Sequence, residues 1–296
     1  MSENEAMQNR GEAGQNGLPH RHATPSLRRV TWPPDYHMHT PLCRHAVGEP
    51  TEYAARALEL GFKEIGFSDH APMPVEDFDD WRMPARSLDQ YVEKVQRARR
   101  ENPTLRILMA LEVDFIPGYE EWIKDISARH PWDYLIGSVH YVAPGFDIDN
   151  PTKLSQWRKH DPYEVWSLYF ERLTQAAESG FFQIIGHADL PKKFNILPKR
   201  DTMPLVENFL KAAARKGVAM EINTSGLRKE CKEMYPSPAI VRAAQLHGVP
   251  LTFGSDAHAP GELGLNFKEA VELAKASGYT HFARCEARGL KPERLA

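Results

Sequence analysis

Two patterns of apolar residues alternate along the chain. One is a short continuous apolar run bounded by Gly or Pro and ending in polar groups; the other is a longer stretch with apolar positions every three or four residues. The first reads as a buried strand and the second as an amphipathic helix. Strands are expected at 35–40, 64–70, 106–115, 133–140, 183–189, 218–223 and 250–258, and helices at 49–60, 87–100, 119–129, 161–179, 204–216, 238–247 and 267–278. Seven strand-then-helix units with short connections imply a parallel sheet with right-handed crossovers. A doubly wound open sheet and a closed barrel both satisfy this. The closed barrel is preferred, because polar residues gather at the C-terminal ends of all seven strands instead of at one switch point.

Residues 1–30 break the pattern. They are rich in Gly, Asn, Gln, Glu and Arg and hold few large apolar groups before Leu27 and Val30. Such a segment cannot bury enough surface to offset its ordering entropy, so a disordered extension is expected, with His20 and His22 idle within it. Residues 31–296 then form one domain.

Composition narrows the function classes. With 296 residues, 42% of them hydrophobic, the chain can fill a sizeable core. A formal net charge of −3 supplies no field for duplex nucleic acid or an anionic membrane. Cys43, Cys231 and Cys285 are scattered, odd in number and without a C-x-x-C pair, which points to reduced cytoplasm. No apolar run reaches the length of a membrane span, and the first residues lack the apolar core of a signal peptide.

The strand ends carry the chemistry. The opening stretch Asp35-Tyr36-His37-Met38-His39-Thr40 places two imidazoles on one face, because residues i and i+2 of an extended chain point the same way. The later strands end in Asp69 and His70, Glu112 and Asp114, His140, His187 and Asp189, Glu221 and Asn223, and Asp256 and His258, with His45 in the loop after the first. In a parallel barrel these ends converge on one rim. A catalytic zinc-like ion takes three or four protein ligands, so seven His and several carboxylates imply two or three divalent ions. With no Cys among them, the set suits Zn, Fe or Mn. Of the adjacent pair, His70 is favoured as ligand and Asp69 as its support or as a proton carrier. Asp114 shares parity with Glu112, which ranks first because it follows the apolar run 107–111.

The series Asp35–Thr40 with Arg44-His45, Gly66-Phe67-Ser68-Asp69-His70-Ala71-Pro72, Leu111-Glu112-Val113-Asp114, Gly137-Ser138-Val139-His140, Gly186-His187-Ala188-Asp189-Leu190, Glu221–Gly226 and Gly254-Ser255-Asp256-Ala257-His258 resembles the PHP (polymerase and histidinol phosphatase) superfamily. The likeness runs from about residue 35 into the C-terminal region and is strongest to stand-alone members that hydrolyse L-histidinol phosphate. It implies a distorted (β/α)7 barrel with a trinuclear site. By this resemblance His37, His39, Glu112 and Asp256 hold one ion, Glu112 bridges to a second held by His140 and His187, and His45, His70 and His258 hold a third. The ions would activate water for attack on phosphorus.

For the substrate, Arg158 and Arg228 are candidates because a guanidinium fork matches phosphate oxygens. Lys192, with Lys193 beside it, adds phosphate attraction, and Asn223 and Tyr163 complete the expected binding set. Tyr36, Trp157 and Glu221 are further candidates for the substrate's imidazole and ammonium. Asp69, Asp161 or water would protonate the leaving alkoxide. Two other readings share parts of this pattern. A PHP phosphoesterase acting on nucleotide or nucleic-acid phosphoesters would want a basic groove, and an amidohydrolase-type barrel would want a Lys at a strand end; neither feature is present.

Overall fold

The computed structural model describes residues 32–76 and 78–295. The expected disordered extension 1–30 lies outside the described residues. Six strands form one parallel sheet: β1 (Glu64–His70), β2 (Arg106–Asp114), β3 (Tyr134–Ser138), β6 (Ile184–Ile185), β7 (Ala219–Asn223) and β8 (Leu251–Gly254), in the order β1-β2-β3-β6-β7-β8. Two antiparallel hairpins accompany it, β4 (Tyr141–Ala143) with β5 (Phe146–Asp147) and β9 (His281–Glu286) with β10 (Gly289–Arg294).

The expected first strand closes the sheet without pairing along its length. Asp35 bridges to Ile65 of β1 and Met38 to Ala257 beyond β8. Gly66 N donates to Asp35 O at 2.8 Å, while Tyr36 N donates to Phe253 O at 3.1 Å on the other side. Pro33, Pro34 and Pro41 bracket the stretch and limit the ladder to these few bonds. β6 is also shorter than expected, because His187 (φ 24°) and Asp189 (φ 73°) turn the chain out of the extended region.

The helices are α1 (Pro50–Leu60), α2 (Leu88–Glu101), α3 (Glu120–Arg129), the short α4 (Leu154–Trp157), α5 (Pro162–Ser179), α6 (Met203–Lys216), α7 (Pro238–Leu246) and α8 (Phe267–Ala276). Their apolar faces, such as Leu88, Tyr91, Val95 and Ala98 of α2, cover the outward residues of the strands. Alternate residues face inward. Tyr36, Leu108, Ala110, Tyr134, Ile136, Ile184 and Ala219 form a separate interior cluster, which β9 completes with Ala283 and Cys285.

This parity explains where the site forms. Glu112 continues the inward series of Leu108 and Ala110, Glu221 that of Ala219, and His70 lies on the face opposite Ile65, Phe67 and Asp69. At the start of β1, Glu64 accepts from Tyr36 Oη at 2.5 Å, Arg106 at 2.6 Å and Arg284 of β9 at 2.5 Å. One end of the sheet is therefore plugged, and the C-terminal end stays open for chemistry.

Candidate metal centre

Glu112 is the hub of the open end, and it is buried at 2% exposure. Its Oε2 lies 3.3 Å from His37 Nε2, 3.8 Å from His39 Nε2 and 2.7 Å from His70 Nδ1; its Oε1 lies 2.8 Å from His187 Nε2 and 3.7 Å from His140 Nε2. Asp256 Oδ1 lies 3.1 Å from His39 Nε2 and 4.0 Å from His37 Nε2. Asp256 reaches this position from a left-handed backbone, φ 51°. His45 and His258 bring their Nε2 atoms to 2.8 Å from each other, with their rings beside that of His39.

Five of the seven rings are held from behind. His37 Nδ1 lies 2.8 Å from Glu221 Oε1, His39 Nδ1 3.4 Å from Asp69 Oδ1, and His140 Nδ1 2.9 Å from Asp114 Oδ1. His45 Nδ1 and His258 Nδ1 face the carbonyls of Cys43 and Asp256 at 2.9 and 3.1 Å. A carbonyl or carboxylate oxygen at Nδ1 calls for the N–H there, which leaves the Nε2 lone pair pointing inward. This is the arrangement of metal-ligating histidines. Asp69, Asp114 and Glu221 therefore stand behind imidazoles, and Thr40 Oγ1 further fixes Asp69.

Some buried atoms of the cluster lack a hydrogen-bond partner, while His39 Nε2 and His187 Nε2 meet Asp256 Oδ1 and Glu112 Oε1 at 3.1 and 2.8 Å. His37 Nε2 and Glu112 Oε2 face each other at 3.3 Å, yet neither makes a hydrogen bond, and His187 Nδ1 is likewise buried and unpaired. Orphaned buried polar atoms are costly, and a cation between them removes the cost. Three groupings bring ligand atoms close enough to share an ion: His37, His39 and Glu112; Glu112, His140 and His187; and His45, His70 and His258. A fourth, His39 with Cys43 and His258, draws on a thiol that burial and Asp69 push up. The donor set of imidazole and carboxylate fits divalent ions.

The electrostatics divide the rings. Burial opposes protonation of His39, but Asp256 and Asp69 push it up to about 9, and Asp114 overrides burial to push His140 up to about 10. Burial and the neighbouring His39 hold His45 and His258 down, and they bring His70 down to about 3. Although burial opposes ionisation of Glu112 and Asp256, the surrounding imidazoles hold both well below the usual carboxylate range.

A cavity of about 560 Å³ opens over the cluster, lined among others by Trp81, Asp147, Asp149, Lys193, Arg228 and Tyr235. Arg228 is one of the lining residues. Its Nη2 donates to the carbonyls of Ser255 and Asp256 at 2.9 and 3.1 Å, and its Nη1 is buried without a partner. Several other expected substrate residues do not line the cavity. Arg158 is exposed, Asp161 caps α5 through Tyr163 N at 2.8 Å, and Tyr163 lies under the Arg200 guanidinium at 3.7 Å. Lys192 is buried against Asp189, Glu233 and the Met234 carbonyl, all within 3.0 Å, so Lys193 is the lysine that faces the cavity.

Asn223 is also withdrawn, donating to Glu221 and Asp256. Asp69 sits behind His39, away from the cavity. Tyr36 is buried against Glu64, and Trp157 is buried with Nε1 on the Ile148 carbonyl. The cavity residues that sequence reasoning misses, Trp81, Asp147, Asp149 and Tyr235, lie in irregular segments and a two-residue strand. Their sequence shows no periodicity that fixes direction.

A family model for the PHP domain matches residues 35–225. The histidinol-phosphatase of Bacillus subtilis is 30% identical over 262 residues, covering 80% of this chain and 98% of its own length. A Deinococcus radiodurans protein that carries a histidinol-phosphatase name is 41% identical over 248 residues, 83% of this chain and 94% of its own. The crystal structure of histidinol phosphate phosphatase from Lactococcus lactis, complexed with zinc, L-histidinol and phosphate, matches with a TM-score of 0.73 at 20% identity, over 88% of this chain and 100% of that one. That structure establishes the shared fold. The chain belongs to the PHP domain family and groups within it with the histidinol-phosphatases.

Proposed function

We propose that the protein is a metal-dependent phosphomonoesterase that hydrolyses L-histidinol phosphate to L-histidinol and phosphate. The observation that carries the metal dependence is the ring of imidazole nitrogens turned in on Glu112 and Asp256, with His37, His39 and His140 each held from behind by a carboxylate. The names of relatives at 41% and 30% identity supply the substrate.

His37, His39, Glu112 and Asp256 would hold one ion, Glu112 with His140 and His187 a second, and His45, His70 and His258 a third, with Zn, Fe or Mn all suited to the donors. When bound, divalent ions lower the pKa of water and neutralise phosphoryl charge. Arg228 offers its unpartnered Nη1 to a phosphoryl oxygen, pre-aimed by two carbonyls. Lys193, held by Asp149 at 2.9 Å, adds positive potential on the same wall.

The cavity also suits a cationic leaving group. Burial and the adjacent Asp149 push the Asp147 carboxyl upward, while Lys193 and His140 hold Asp149 down against burial, so the wall offers a carboxylate pair to a positive group. No helix among the described residues is long and apolar enough to cross a membrane. A cytoplasmic setting is part of this reading, supported by the three unpaired cysteines.

The test is kcat/KM of zinc-, iron- and manganese-loaded protein on L-histidinol phosphate against p-nitrophenyl phosphate. A strong preference for the former is expected. Comparable values would leave a phosphatase and overturn the named substrate.

A further inference from the structure

We infer that Arg82 is a positioning residue for the ion cluster, acting on His140 through Asp114. Arg82 is 3% exposed and does not line the cavity. Each of its three nitrogens is engaged: Nη2 donates to Asp114 Oδ2 at 2.8 Å, Nε to Asp79 Oδ2 at 2.7 Å and Nη1 to the Ala71 carbonyl at 3.1 Å. Asp114 divides its oxygens between two tasks. Oδ2 accepts from Arg82, and Oδ1 accepts from the backbone N and the Nδ1 of His140 at 3.0 and 2.9 Å. With Nδ1 committed, His140 turns Nε2 toward Glu112 and His187.

The same guanidinium organises the wall above. It stacks over Trp81 at 4.4 Å, and the Trp81 indole meets the rings of His70 and His140 edge-on at 4.7 and 5.2 Å. Asp79, which holds Arg82 Nε, also accepts from Tyr141 Oη at 3.0 Å. A planar fork with fixed donors meets three acceptors in three directions, which the single ammonium of Lys cannot do. Arg82 thus fixes the direction of one ligand, His140, through Asp114, from a position with no access to substrate.

This inference rests on the reading of the cluster as an ion site, and not on the identity of the substrate. Zinc titration in competition with a chromogenic chelator tests it, on the full chain well below its unfolding temperature. In Arg82→Gln one class of zinc site is expected to weaken about 10- to 100-fold, the range for losing a group that orients a ligand, while the other sites keep their affinity. Asp114→Asn is expected to weaken the same class, and adding Arg82→Gln to it to cost nothing more, because Arg82 acts through Asp114.

Wild-type affinity at every site in a folded Arg82→Gln variant, or losses that add in the double variant, would overturn the proposal. If Arg82→Gln does not fold, Arg82→Lys and Asp114→Asn carry the test, and unchanged zinc binding in both is the overturning result. Wild-type protein that binds no zinc would sink the cluster itself. Zinc binding without turnover of L-histidinol phosphate would instead sink the assigned substrate and leave Arg82's role standing.

Discussion

His45 Nε2 lies 2.8 Å from His258 Nε2, although each ring already faces a carbonyl oxygen with its Nδ1. Both rings are held neutral, so two lone pairs point at each other, a contact that a cation converts from repulsive to favourable. Stripping the protein with a chelator should therefore lower its thermal midpoint, and zinc or manganese should restore it. Ion at about 100 times its Kd adds about 2.7 kcal/mol. A midpoint indifferent to saturating zinc would remove the ion from between these rings.

The metal-free protein should respond to alkali in a defined window. His39 and His140 rise from 6.5 to about 9 and about 10 in the folded state, with burial opposing and Asp256, Asp69 and Asp114 prevailing. Their contribution to stability is complete below pH 6.5 and disappears as pH rises through 9 to 10. An ion must also displace these protons, so apparent zinc affinity should climb between pH 7 and 9. Calorimetry in buffers of different ionisation enthalpy would register the released protons; heats independent of buffer at pH 7 would contradict the assignment.

Arg228→Met should retain the ions and lose the reaction. The side chain lines the cavity and touches backbone carbonyls and Glu262, and its buried Nη1 has no protein partner. Removing one pre-aimed donor to a charged transition state costs about 10²–10³ in rate. Metal content by elemental analysis should match wild type; coincident loss of metal would make the residue structural.

Gly254→Ala should damage the centre from outside it. A Cβ at this position would sit 1.8 Å from Glu221 Oε1 and 2.6 Å from His37 Cβ. The carboxylate that holds His37 must move or β8 must shift, at about 1–3 kcal/mol for such overpacking. Weaker zinc binding together with a lower thermal midpoint is expected. Wild-type zinc affinity would mean that Glu221 does not need its present place.

The sequence makes the rim legible because each strand is a short apolar run ending in one or two polar residues, and strand parity separates His70 from Asp69. It does not reveal direction where regular geometry stops. Lys192 and Lys193 are adjacent in a 3-10 turn from Leu190 to Phe194, and only the fold decides which one faces the cavity. Arg158, Asp161 and Tyr163 lie close in sequence to cavity residues, but they occupy an exposed turn and the outer start of α5. Trp81 and Arg82 come from a segment with no hydrophobic period, and β10 is exposed and charged, so neither gives a signal that pattern reading can use.

The two-sided anchoring of residues 35–39 bears on how the molecule is made. The Asp35 carboxylate accepts from both the backbone N and the hydroxyl of Ser255, 220 positions away. A chain still emerging from the ribosome has synthesised His37 and His39 long before Asp256 and His258 exist. Ring closure across so wide a separation is slow in entropic terms. Nascent protein thus carries an incomplete chelating centre until Asp256 and His258 have been added, and ion capture in its final geometry must wait for them.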